Sequence, residues 1–307
     1  MAKESNAAAT EEKAKSKKRR RRFGDRKDGR KVRTLDPMNY VAPYIMPDRD
    51  SSTNFIEDRT DTAKLDEYIR QKRAEGLKGF GALHVFIAAY VRVVSQRPGI
   101  NRFISRQKIF ARNNIEIMLT IKKELTLNAT ETIVEITPEP DWTATQIYEE
   151  LNRVITENRD KEEESSFDSA AKALNYIPGL FLKFTVWFLK TMDYFGLLPK
   201  SLLKLSPFHG SMFITSMGSL GIPPIYHHLY DFGNVPMFMS YGAKYKENRI
   251  ADDGRVEQRT YIDYKITTDE RICDGHYYAS ALKLLRFYLQ NPKLLDLPPE
   301  HVVEDID

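Results

Sequence analysis

The sequence predicts a mixed α/β fold, with helical and strand segments interspersed along the chain. Three observations carry this. Segments with apolar residues at helical spacing alternate along the chain with segments of strict period-two alternation. No Rossmann or P-loop glycine pattern and no internal repeat occurs. The 307 residues, 41% hydrophobic and 29% charged, supply enough apolar material for a sizeable core.

The formal charge of +4 is unevenly spread. Residues 1–33 hold fourteen Lys/Arg against five Asp/Glu, a balance of +9 that leaves −5 for the rest. With so few apolar residues this stretch cannot offset its ordering entropy, so a disordered basic tail is expected over 1–33, ahead of a single domain at 34–307. No apolar run follows the charges, which excludes a secretory signal. The run KSKKRRRR predicts weak, non-specific contact with polyanions, whether nucleic acid, polyphosphate or an anionic membrane surface. Cys273 is the only cysteine, so no internal disulfide can form, which fits a reducing, cytoplasmic setting.

The elements follow in order. Prolines break any early helix after Asp36, and TDTAKLDEYIRQKR predicts a helix capped from Thr60, Asp61 and Thr62. The next segment, KGFGALHVFIAAYVRVVSQRPGINRF, carries Leu83, Phe86, Ile87, Tyr90, Val91 and Val94 as one core-facing stripe, stopped by Pro98. In NNIEIMLTIKKE, residues Ile115, Ile117, Leu119 and Ile121 alternate as a strand requires, and ETIVEITPEPD reads the same way. A helix is expected from Ala144 to about Arg159, with Ile147, Leu151, Val154 and Ile155 on one side, running into the charged connection DKEEESS.

Residues 170–208 form an aromatic-rich helical insertion. Lys183, Lys190 and Asp193 interrupt it, so it is no transmembrane span. Two readings stand: packing against the domain or a neighbouring subunit, which is the simpler, or lying on a membrane surface through residues 177–199 with lysines snorkelling. Short strands then alternate with turns, Asp253-Gly254 marks a hairpin, and YYASALKLLRFYLQNP closes the domain as a helix.

Four segments, FIAAYVRVVSQRPGINRF, MFITSMGSLG, DERICDG and YYASALKLLRFYLQNPKLL, occur in that order. They resemble the catalytic domain of the acyltransferase component of 2-oxo-acid dehydrogenase complexes, whose relatives include chloramphenicol acetyltransferase. The resemblance runs from about Val41 to Leu295, and residues 170–208 are longer than that family's domains usually carry. It implies a CoA-dependent acyltransferase (chloramphenicol acetyltransferase-like) fold, a mixed sheet flanked by helices, assembled as a homotrimer with active sites in channels between subunits. No bound cofactor is implied; a coenzyme A thioester is the substrate, and the acceptor is a thiol or hydroxyl.

Carried over from the family's DHRxxDG and TISNLG motifs, the base position is Glu270, where the family has His. The oxyanion hydroxyl is Thr215, supplied by the neighbouring subunit, and the orienting carboxylate is Asp274. Ser216, Gly275 and His276 are expected beside substrate. A glutamate near about 4.3 is a poor match for a thiol near about 8.5, unless burial and neighbouring carboxylates raise it. Two readings therefore remain, an enzyme with a carboxylate base, or a degenerate fold that binds or assembles. The alternation of the motif places Asp269 and Arg271 away from Glu270, as a structural pair. Cys273 reads as a small buried residue rather than an acyl-accepting nucleophile, and His276 as a minor alternative source of imidazole. His84 is expected in core or interface, while His227, His228 and Asp231 lack the partners of a metal site. No segment has the Lys-bearing hairpin of a lipoyl domain, so a free-standing protein is expected.

Overall fold

The computed structural model describes residues 21–122, 131–159 and 176–307. Helices are α1 (Pro37–Ile45), α2 (Ala63–Ala74), α3 (Ala82–Gln96), α4 (Ala144–Arg159), α5 (Gly179–Tyr194), α6 (Lys200–Leu205) and α7 (Gly275–Gln290). Strands are β1 (Gly29–Lys31), β2 (Thr53–Asp61), β3 (Arg102–Ser105), β4 (Lys108–Arg112), β5 (Ile117–Lys122), β6 (Glu131–Ile136), β7 (Met212–Ser216), β8 (Met237–Tyr241), β9 (Tyr245–Ile250) and β10 (Val256–Asp269).

Among the described residues the main sheet runs β2-β10-β8-β7-β5-β6, with β9 also paired to β10. The β5–β7 and β7–β8 pairs are parallel and the others antiparallel, the mixed sheet that the resemblance implied. Period-two alternation sorts its side chains. Ile117, Leu119, Ile214, Met239 and Ile266 face a layer made by α3, α4 and α7, whereas Met118, Phe213 and Phe238 face the opposite way, under Leu229 and Val235. Helix α3 is buried nearly all round rather than along one stripe, since His84 through Ser95 are all buried, and Phe86 stacks on Tyr241 at 4.8 Å. His84 is a core residue: burial lowers its pKa to about 4, and Nδ1 accepts the Gly81 N–H.

The boundary of the basic tail needs correction. From Arg21 the chain is described, and Gly29–Lys31 pair antiparallel with β4 in a small β1-β4-β3 sheet. A Cβ at Gly29 would come within 2.6 Å of the Phe103 ring, so only glycine permits this approach. Charge is tolerated here because it is paired. The Arg26 side chain, 1% exposed, bonds Asp28, the Ser105 hydroxyl and both the carboxylate and carbonyl of Asp193. The expected tail before residue 21 lies outside the described residues.

Asp193 closes the base of α5 onto the body, and this contact is expected to open in acid. Burial opposes ionisation of its carboxyl, but His209 Nε2, 3.4 Å away, and the Arg26 charge outweigh that and hold it at about 2. A lowered folded value means the stabilisation is complete above the ordinary value of 3.8 and is lost as pH falls from there toward 2. The loss amounts to roughly 2 kcal/mol. Emission of Trp187 in a Trp142→Phe background should shift across that window, and a flat signal would count against this role of Asp193.

Helix α5 packs only lightly on its own chain, so of the simpler expectation for residues 170–208 the packing against the domain is slight. None of its residues is buried, and only Leu182, Thr185, Leu189, Thr191, Met192 and Asp193 are half-covered. Residues 170–175 of the insertion lie outside the described residues. No helix among the described residues is long and apolar enough to cross a membrane.

Candidate functional site

Strand β10 ends by feeding a single 3₁₀ turn, Glu270–Ile272, and then α7. Two devices fix this corner. The Asp269 carboxylate takes hydrogen bonds from the Arg271 backbone N–H at 3.1 Å, from Nε at 2.8 Å and from Nη2 at 2.7 Å; both side chains are buried. Arg271 also donates to the Met46 and Pro47 carbonyls, and the Tyr278 hydroxyl donates to the Asp269 carbonyl at 2.8 Å. The pair expected from alternation is therefore present. Asp274 is the N-cap of α7, its side chain accepting the Tyr277 N–H at 2.9 Å.

Glu270 stands between these two anchors. It is exposed, and among the described residues it has no hydrogen-bond or ion-pair partner within its own chain. Its backbone is thus held between the buried Asp269–Arg271 pair and the exposed Asp274 cap while the carboxylate is left open. Gly275 and His276 follow in the first turn of α7, both exposed, and a Cβ at Gly275 would meet nothing within 4 Å. Cys273 is 4% exposed and burial pushes its thiol well up, so it behaves as core rather than as a nucleophile.

Thr215 lies elsewhere. Half-buried on β7, it sits on the sheet face away from the helices and is in register with Ser240, which is in register with Lys265 and then Glu57. This polar row was not foreseen, although Lys265 between Tyr264 and Ile266 signalled it. Lys265 Nζ lies 3.9 Å from Glu57 and 4.6 Å from the centre of the Tyr226 ring, whose hydroxyl donates to Glu57. Ser240 bonds the Ile225 N–H at 3.0 Å and its carbonyl at 2.5 Å. No protein group within the chain takes the Thr215 hydroxyl among the described residues. Ser216, expected beside substrate, turns to the sheet face opposite Thr215 and meets the Tyr241 phenol, which burial pushes up to about 12.

Within one chain Glu270 and Thr215 are not brought together. Thr215 is level with Lys265, five residues before Glu270 on β10 and two strands away. That is roughly 17 Å along the strand and roughly 10 Å across it. The structure therefore groups Glu270, Asp274, Gly275 and His276 at one place and leaves Thr215 at another.

His227 stacks on Phe238 at 3.9 Å and on His228 at 4.5 Å, and no group of three metal-ligating side chains occurs among the described residues.

No family model and no curated protein matches the chain. Solved structures do. A probable dihydrolipoamide acetyltransferase from Listeria monocytogenes superposes with a TM-score of 0.52 at 16% identity, over 84% of this chain and 95% of that one. The dihydrolipoamide acetyltransferase of Azotobacter vinelandii gives 0.53 at 12% identity, over 89% and 95%. A chloramphenicol acetyltransferase gives 0.50 at 13%, over 84% and 99%. The fold is thus that of the acyltransferases these structures represent, as the four ordered segments implied.

Proposed function

We propose that the protein transfers an acyl group between coenzyme A and a thiol or hydroxyl acceptor, at sites shared between copies of a homotrimer. The observation that carries the reading is Glu270: an open carboxylate without a partner among the described residues of its own chain, on a corner locked by Asp269–Arg271 and the Asp274 cap. A general base needs that combination of fixed position and free lone pair. The Azotobacter enzyme offers support. A serine, a histidine and an asparagine were studied in its catalytic mechanism, and its histidine and asparagine are four positions apart, like Glu270 and Asp274.

In this mechanism the Glu270 carboxylate takes the acceptor proton as the acceptor sulfur or oxygen bonds to the thioester carbonyl carbon. The tetrahedral oxyanion accepts a hydrogen bond from Thr215 of the neighbouring copy. On its collapse the carbon–sulfur bond to coenzyme A breaks, and Glu270 returns the proton to the departing thiolate. Asp274 acts by position, capping α7 and setting the corner that presents Glu270.

Thiol release from acetyl-, butyryl- and longer acyl-CoA, with dihydrolipoamide as trial acceptor, tests the reading. Thr215→Val is expected to lower turnover about a hundredfold, the usual cost of one oxyanion donor. Because Glu270 and Thr215 are far apart in one chain, co-assembled Glu270→Gln and Thr215→Val chains should recover activity that neither shows alone. Absence of recovery in verified mixed trimers would remove the shared site.

A second reading is favoured by the substitution itself, since an exposed glutamate stands where the family motif has histidine. In that reading the fold binds or assembles without turnover. It gains support if the native chain is inactive while Glu270→His acquires activity.

A further inference from the structure

Helix α5 carries large apolar side chains on its outward face that nothing among the described residues covers. Leu180, Phe181, Phe184, Trp187 and Phe188 follow the i, i+1, i+4, i+7, i+8 pattern of one helical face, and Leu180 is 84% and Trp187 58% exposed. The half-covered Leu182, Thr185, Leu189 and Met192 lie on the other side, toward the body. The aromatic face is therefore presented outward by design of the sequence pattern, and exposing it to water is unfavourable.

Its charges choose the occupant. Lys183 and Lys190, one above the other on the flank of this face, are exposed and form no ion pair among the described residues. Lys200 and Lys204 of α6 add two more cations. The single acid of α5, Asp193, is consumed by Arg26 and His209.

A basic stretch of the sequence leads into residues bonded at the end of this helix. Eight of the ten residues 13–22 are Lys or Arg. The chain just after them is tied to the end of α5, through Arg26 on Asp193 and Lys27 Nζ on the Leu197 and Leu198 carbonyls. An aromatic face flanked by lysines, with a polycationic stretch preceding in sequence the Arg26 and Lys27 that bond at its base, complements an anionic lipid leaflet: rings at headgroup depth and ammonium groups among phosphates. A second copy of the chain is a poorer match, because it would bring a second polycationic stretch with it.

We propose that α5 docks this protein onto anionic membrane surfaces, lying in the interface with its Phe181–Trp187 face against the acyl boundary. The association is peripheral, and it is independent of the acyl-transfer reading.

The test is co-sedimentation of the full chain with vesicles of phosphatidylcholine alone and of equal parts phosphatidylcholine and phosphatidylglycerol, at low and high salt. Binding is expected to the anionic vesicles, weakened by salt, with a blue shift of Trp187 emission in a Trp142→Phe background. The variant Phe184→Ser/Trp187→Ser/Phe188→Ser replaces exposed side chains only, and should lower binding at least about tenfold with unchanged circular dichroism. Lys183→Glu/Lys190→Glu should reduce the preference for anionic vesicles. Failure of the native chain to pellet at low salt overturns the proposal. So does binding that persists in the triple serine variant, which would assign it to residues 13–22 alone. If that variant instead changes the sedimenting mass and vesicles never bind, the face joins copies of the chain, and the proposal is likewise wrong.

Discussion

Glu270→Gln is expected to leave the protein folded and, on the proposed acyl-transfer reading, to lower turnover by about a hundred- to ten-thousand-fold, the range over which a positioned general base contributes. The amide keeps the shape of the side chain but cannot take a proton from the acceptor. Folding should be indifferent to the change, because Glu270 is exposed and has no hydrogen-bond or ion-pair partner among the described residues that an amide would lose. The loss should fall on kcat rather than on KM, since proton removal belongs to the transition state and not to binding. Steady-state thiol release from acyl-CoA, beside a thermal melt, reads both quantities. Equal turnover in native and Glu270→Gln chains would exclude Glu270 as the base, whatever else the site does.

Truncating either member of the Asp269–Arg271 pair is expected to have the largest effect on stability. Both side chains are almost fully buried, at 1% and 4% exposure, and each satisfies the other through two side-chain hydrogen bonds. Asp269→Ala strands a guanidinium that also holds the Met46 and Pro47 carbonyls, and Arg271→Ala strands a carboxylate. Breaking a buried pair from one side costs about 3–5 kcal/mol, because the remaining charge stays desolvated and unpaired. Removing both should cost less than the sum of the single changes, since no isolated charge is left. Urea denaturation of the two single variants and the double variant supplies the cycle. Single losses below about 1 kcal/mol would mean that the pair behaves like a surface one. The same variants bear on function, because this pair sets the turn from which Glu270 projects.

Several elements could be read from the sequence because their signals are local. The Ala82–Gln96 helix declared itself by spacing and by Pro98, the Ala144–Arg159 helix by its apolar side, and the β9–β10 hairpin by Asp253-Gly254, where Gly254 has φ +80°. Other elements had no such signal. In β2 most side chains are partly or fully exposed, and the strand exists because nine residues pair with β10, two hundred positions later. The β3–β4 turn uses Arg106 and Gln107 at φ +53° and +52°, a conformation usually marked by Asn or Gly. Helix α1 was hidden because its prolines read as breakers. Pro37, however, occupies the first turn, where its missing N–H costs nothing, and Asp36 caps the helix through the Met38 N–H.

The sequence by itself determined the fold class, the order of the main helices and strands, and the motif that carries Glu270 and Asp274, because each rests on periodicity or on residues adjacent in the chain. It also separated the buried Asp269–Arg271 pair from Glu270 by alternation alone. Tertiary structure decided the rest. That Arg26 belongs to the body rather than to a tail depends on Asp193, 167 positions away. That Thr215 and Glu270 stand at separate places depends on strand order and register, which no local pattern encodes. That α5 turns its aromatic side outward depends on which side the body leaves uncovered. Hydrophobic spacing tells a helix which residues share a face, and only the packed chain tells that face what it meets.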